Sequence, residues 1–171
     1  MNPFIKIVIF SLVAVIFVSC KMNYSFTGAS IAPDIKTVSV QFFPNYAPLA
    51  QPLLSQEFTE SLRNIFLTQT NLNLVERAGD LHFEGAITGY RTSPVALQGG
   101  EVAQASLNRL SITVNVKFIN TKNDTQNFET SFTRYADYDA SRNLSDVEMT
   151  LIKEINDQLV QDIFNKAVSN W

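Results

Sequence analysis

One cysteine, Cys20, and one histidine, His82, are all that 171 residues offer of the two side chains most used for metal binding and nucleophilic catalysis. A disulfide framework, a Cys/His zinc cluster and a Cys-His nucleophile pair are therefore excluded. A Ser-His-Asp arrangement needs His82, which stands in an alternating stretch with no nucleophile-elbow sequence nearby and reads as a solvent-facing sheet residue. Glycine is scarce, with 6 in the chain, and Gly99-Gly100 lacks the following lysine and serine or threonine of a phosphate loop. Charge is scarce too: 13 Lys and Arg against 16 Asp and Glu give a formal −3. Neutralising phosphates takes a concentrated basic face, so nucleic acid is not expected as a partner. No enzymatic activity, cofactor or metal is expected.

Long apolar runs are limited to one. Ile7 to Val18 is apolar except for Ser11, follows a short segment carrying Lys6, and stops at Cys20. As a helix this run reaches only about 18 Å, short of a hydrocarbon core of roughly 30 Å, which marks a signal-peptide core instead of a permanent span. Phe17-Val18-Ser19-Cys20 resembles a bacterial lipobox, with a small residue before the cysteine and an aromatic where an aliphatic is usual. The expectation is a signal peptide over residues 1–19, lipid attachment at Cys20, a lipidated tether over 20–33 and one domain over 34–171. One acyl chain binds a membrane marginally, whereas two or more hold it stably.

Past the tether, Val38, Val40 and Phe42 alternate with Thr37, Ser39 and Gln41 as in a half-buried strand. Pro44, Pro48 and Pro52 lead to Ser55, read as an N-cap, and Leu54, Phe58, Leu62, Ile65 and Phe66 form one helical stripe ending near Gln69. Leu72 to Val75 and Leu81 to Tyr90 follow. Gly85 and Gly89 in the latter predict a bulge or a close backbone approach. Arg91 to Ser106, with Pro94, Gly99 and Gly100, reads as a long loop and a candidate partner contact. Leu107–Ile119 and Asn127–Tyr138 alternate around a polar turn and predict a hairpin. Ser145 and Glu148 spell a capping box, with Leu144 and Met149 as its hydrophobic staple, ahead of a helix carrying Val147, Leu151, Ile155, Leu159 and Ile163. The order β-α-β-β-β-α predicts an α+β two-layer sandwich, two helices on a four-stranded, mostly antiparallel sheet with a polar outer face.

Two groups of polar residues suggest binding. Asp137, Asp139, Ser141, Asn143, Ser145 and Glu148 follow the ligand spacing of an EF-hand loop, with Arg142 where glycine is required, so a periplasmic ligand- or calcium-binding lipoprotein is the alternative function. Arg91, Arg109, Lys117 and Arg134 lie on or beside the sheet and are the candidate contacts for phosphates of an anionic lipid, or else cross-strand partners of Glu84 and Glu129.

Tyr24-Ser25-Phe26-Thr27-Gly28, Val40 to Asn45, Gly79 to Gly85, Leu110 to Val116 and Asp162 to Val168 together resemble the LptE family of lipopolysaccharide-assembly lipoproteins in its Bacteroidetes form. The resemblance implies an α+β domain that plugs the lumen of the LptD outer-membrane β-barrel, assists that barrel's assembly and helps lipopolysaccharide reach the outer leaflet. It also implies anchorage at the outer membrane, facing the periplasm and barrel lumen. A sheet face of Thr, Ser and Asn suits the polar interior of such a barrel.

Overall fold

The computed structural model describes residues 31–48, 50–95 and 106–168. Cys20, Gly99 and Gly100 lie outside them. Five strands, β1 (Thr37–Val40), β2 (Asn73–Leu74), β3 (Leu81–Val95), β4 (Leu107–Asn120) and β5 (Phe128–Asp139), make one sheet in the order β2-β1-β3-β4-β5. Helices α1 (Leu54–Gln69) and α2 (Leu144–Val168) cover one of its faces. The α+β sandwich expected from the sequence is the one observed, with β1 parallel to both neighbours and β3, β4 and β5 antiparallel.

Burial explains this layering. On β4, Leu110, Ile112, Val114, Val116 and Phe118 are all buried, and the residues between them are not. The helical stripes meet them: Leu54, Phe58, Leu62, Ile65 and Phe66 on α1, and Val147, Leu151, Ile155, Leu159 and Ile163 on α2, are buried. A chain of phenylalanine rings crosses the core, from Phe164 on α2 to Phe66 on α1 (5.2 Å between centroids), then to Phe83 (4.8 Å), Phe118 (4.8 Å) and Phe128 (5.1 Å) on successive antiparallel strands.

Several expectations are corrected. The sheet has five strands where four were expected, because Asn73 N–H donates to Lys36 O and Val75 N–H to Val38 O, hooking a strand of 2 residues onto the edge of β1. So short a strand carries no periodicity. Arg91 to Val95 are not loop: they extend β3 in register with Leu107–Ser111 of β4. Pro94 is tolerated because it lies opposite Asn108, whose backbone groups turn toward β5, so the Pro94 nitrogen faces away from β4 and no ladder bond is lost.

The helix starts also shift. α1 begins at Leu54, with Ser55 buried inside its first turn. α2 begins at Leu144, and Asp146 N–H donates to Asn143 O. Glu148 does not close a capping box: it is 7% exposed and points into the core, while Met149 is 48% exposed. Gly89 follows a register shift after Ile87, and at Gly85 a Cβ would stand 2.1 Å from Asn115 O, so both glycines are used as their positions suggested.

Candidate interaction face

The alternation that buries one side of β3, β4 and β5 leaves the other side uncovered by any described element, and that face is polar. Arg109, Ser111, Thr113, Asn115 and Lys117 of β4 stand beside Glu129, Ser131, Thr133, Tyr135 and Asp137 of β5, since directly opposed residues share a face. The Thr113 and Thr133 hydroxyls are 2.9 Å apart and Asn115 Nδ2 lies 3.5 Å from Ser131 Oγ. On β3, His82, Glu84 and Arg91 take the same side, opposite Ile119, Lys117 and Ser111.

Ion pairs pin the rim of this face. Arg109 grips Asp137 with two bonds, Nε to Oδ1 at 2.7 Å and Nη2 to Oδ2 at 2.8 Å, and its guanidinium carbon sits 3.5 Å over the centre of the Tyr135 ring. The bond from Arg109 holds the Asp137 carboxyl below the usual carboxylate range. Lys117 Nζ meets Glu84 at 2.7 Å, lowering that carboxyl and raising the ammonium. Arg134 is on the opposite side: it bonds Asp162 of α2 at 2.5 and 2.8 Å and is removed from the outer patch, because even a single step along a strand reverses the face. The structure thus brings Arg91, Arg109 and Lys117 to one face, and Arg91 alone of them meets no carboxylate among the described residues.

His82 is half-buried and not solvent-facing: its Nδ1 is 2.7 Å from Ser39 Oγ and its Nε2 3.6 Å from Glu84. The order serine, histidine, carboxylate is that of a hydrolase, yet Ser39 is 0% exposed and its Oγ already accepts the Gly79 N–H at 3.0 Å. No substrate carbonyl reaches it. The EF-hand spacing does not close either. Asp137 is held by Arg109, Asp139 accepts from Ser141 N–H at 2.8 Å, and Glu148 faces inward to Gln51 Nε2 at 2.7 Å and to the Tyr90 hydroxyl. Among the described residues no three acidic, histidine or cysteine side chains gather where an ion would sit.

Two features escaped the sequence. The Gln51–Glu148–Tyr90 cluster joins residues far apart in the chain, and its only signal was the charged residue among apolar neighbours in α2. Asp80 ties three segments: Oδ2 accepts Lys36 N–H at 2.9 Å, Thr37 N–H at 3.0 Å and the Thr37 hydroxyl at 2.9 Å, and Oδ1 meets Lys122 at 3.2 Å. Beside it lies a hollow of about 490 Å³ lined by Ile31, Ile35, Asn120, Lys122, Gln126 and Val168.

A model of the LptE family, described as Lipopolysaccharide-assembly, matches residues 35–167. No curated protein matches the chain. Among solved structures, a minor lipoprotein from Acinetobacter baumannii superposes with a TM-score of 0.50 at 16% identity, covering 77% of this chain and 91% of that one. A hypothetical protein from Chlamydia trachomatis does so with a TM-score of 0.52 at 12% identity, covering 79% and 99%. At such identities both likenesses speak for the fold alone.

Proposed function

The chain belongs to the LptE lipopolysaccharide-assembly family, and from that premise we propose that it is a non-enzymatic outer-membrane lipoprotein that plugs an LptD-type β-barrel, assists its assembly and helps insert lipopolysaccharide into the outer leaflet. The observation that carries this reading is the uncovered face of β3, β4 and β5. Its Thr, Ser and Asn groups pair across strands at Thr113–Thr133 and Asn115–Ser131 and stay partly open to a partner. The interior of a large outer-membrane barrel is polar, so hydroxyls and amides on a stiff sheet match it where an apolar face would not.

Acylation at Cys20, after loss of residues 1–19, places the domain over 34–171 at the periplasmic side of the membrane through the tether 20–33. Tethering raises its effective concentration beside the barrel without any new contact. Lipopolysaccharide phosphates are met by Arg91 first, with Arg109 and Lys117 behind it, since those two already carry carboxylate partners.

The test is recovery of the barrel. A Thr113→Lys, Thr133→Glu double variant, whose new side chains are of opposite charge and directly opposed across the two strands, is expected on purification from detergent-solubilised outer membrane to lose a large β-barrel that wild type retains, with its melting temperature nearly unchanged. Wild type that retains no barrel overturns the reading.

A further inference from the structure

His82, the one histidine of the chain, stands beside an unbalanced row of charge on the outer face. Glu84, Lys117 and Glu129 are directly opposed across β3, β4 and β5, so one ammonium sits between two carboxylates. Glu84 is the shared member. Its Oε1 takes Lys117 Nζ at 2.7 Å and its Oε2 lies 3.6 Å from His82 Nε2, while Glu129 forms no ion pair among the described residues. The other charges near the ring are paired or turned to solvent: Asp80 holds Lys122 at 3.2 Å, and Glu76 and Arg77 of the preceding loop are exposed. From β1 the ring meets only the neutral Ser39 and Gln41, and Ile119 of β4 lies opposite it.

These surroundings satisfy the ring in its charged form, which carries a hydrogen on each nitrogen. Nδ1 is 2.7 Å from Ser39 Oγ, which already accepts the Gly79 N–H at 3.0 Å. The second lone pair of Oγ takes the ring hydrogen, and its own hydrogen has Leu81 O within 3.4 Å. Nε2 turns to Glu84 and to the Gln41 amide 3.3 Å away, which presents its oxygen after a half-turn. No donor is left facing a donor. With 16% of the side chain exposed, water reaches the ring and a proton has a route to it.

We propose that His82 is a proton-sensitive control on the phosphate contact at Lys117, an inference that rests on the lipopolysaccharide reading above. Histidine is the side chain that ordinarily changes charge between about pH 5 and 8. While the ring is neutral, two carboxylates outnumber Lys117 in the row and an incoming phosphate is repelled. Once charged, the ring draws Glu84 Oε2 toward itself, the two signs balance, and Lys117 is released from one of its carboxylates to meet the phosphate. Arg91 stands roughly 27 Å further along β3, several times the screening length of about 8 Å, and is untouched.

Binding of purified lipopolysaccharide by the full lipoprotein in detergent, at about pH 8 and about pH 5.5, tests this. Wild type and His82→Gln are expected to bind alike at the higher pH, and wild type about two- to fivefold more tightly at the lower, the range an exposed charge pair supplies. The lipid's own phosphates take up a proton near about pH 6 and weaken both proteins alike, so the comparison between them carries the result. Lys117→Ala, at a site 48% exposed, leaves the ring in place: its loss of affinity is expected to be larger at the lower pH. Equal binding by wild type and His82→Gln at the lower pH overturns the proposal, and so does a Lys117→Ala loss that does not grow. Barrel recovery is read separately: a wild type that keeps the barrel without these differences loses only the control, whereas one that keeps no barrel loses the function beneath it.

Discussion

The hydroxyl of Tyr90 on β3 donates to the carboxylate of Glu148 in the first turns of α2, joining residues 58 positions apart across the upper end of the core. Gln51, just before α1, donates to the other oxygen of the same carboxylate at 2.7 Å. One buried acid therefore ties the sheet and the approaches to both helices. Tyr90→Phe leaves Glu148 with a single partner and is expected to lower stability by about 1–3 kcal/mol, read as a fall in the urea midpoint without a change in slope.

The same pair sets an alkaline limit. Burial, then the bond to Glu148, pushes the Tyr90 hydroxyl well above its ordinary value, so in the fold it stays protonated where the unfolded chain would ionise. A raised pKa gives stability that is complete below the unfolded value of about 10 and is lost as pH climbs above it. Denaturation midpoints taken from pH 8 upward should fall for wild type past about pH 10, and Tyr90→Phe should flatten that fall.

Asp80 sets the acid limit. The Lys36 N–H bond first, then the Thr37 hydroxyl and Lys122, hold its carboxyl far below the usual carboxylate range. A depressed pKa gives stability that is present above the unfolded value of about 3.9 and lost as pH falls below it. Asp80→Asn is expected to melt lower than wild type at neutral pH, and the gap should narrow as the pH drops below about 4. A gap that is constant with pH contradicts the assignment.

Gly85 is held by backbone. An added Cβ meets Asn115 O at 2.1 Å and Phe43 Cε1 at 2.7 Å. Gly85→Ala is expected to destabilise by about 1–3 kcal/mol, and Phe43→Leu should not rescue it, because the nearer obstacle is a carbonyl of β4. Thermal melts of the single and double variants decide this.

On the proposed function, binding of purified lipopolysaccharide is expected to rank the cations. Arg91→Ala is expected to weaken binding most, Arg134→Ala least, since Arg134 is committed to Asp162 on the helix side. Asp137→Asn should strengthen binding by releasing Arg109, and the gain should vanish at high salt.

The sequence alone determined which residues are apolar and at what spacing, and that sufficed for both helical stripes, the alternation of β3, β4 and β5, the hairpin and the polar outer face; on β1, flanked by a strand on each side, Ser39 is buried along with Val38 and Val40, and Phe42 lies past the strand and is exposed. Local periodicity reports those directly, because an element must bury one side of itself. What depended on contacts between distant segments was decided by the tertiary structure alone. The strand at Asn73–Leu74 exists only because β1 lies beside it, and Arg91 to Val95 continue as strand because Leu107–Ser111 run opposite. Glu148 left its expected capping role because Tyr90 and Gln51 come to lie beside it and donate to its carboxylate. The basic patch divided for a similar reason: Arg109 and Lys117 on odd positions of β4 face outward, while Arg134, one step out of phase on β5, turns to α2. Charge can be counted along a chain, but its partners are set by which strands and helices come to lie side by side.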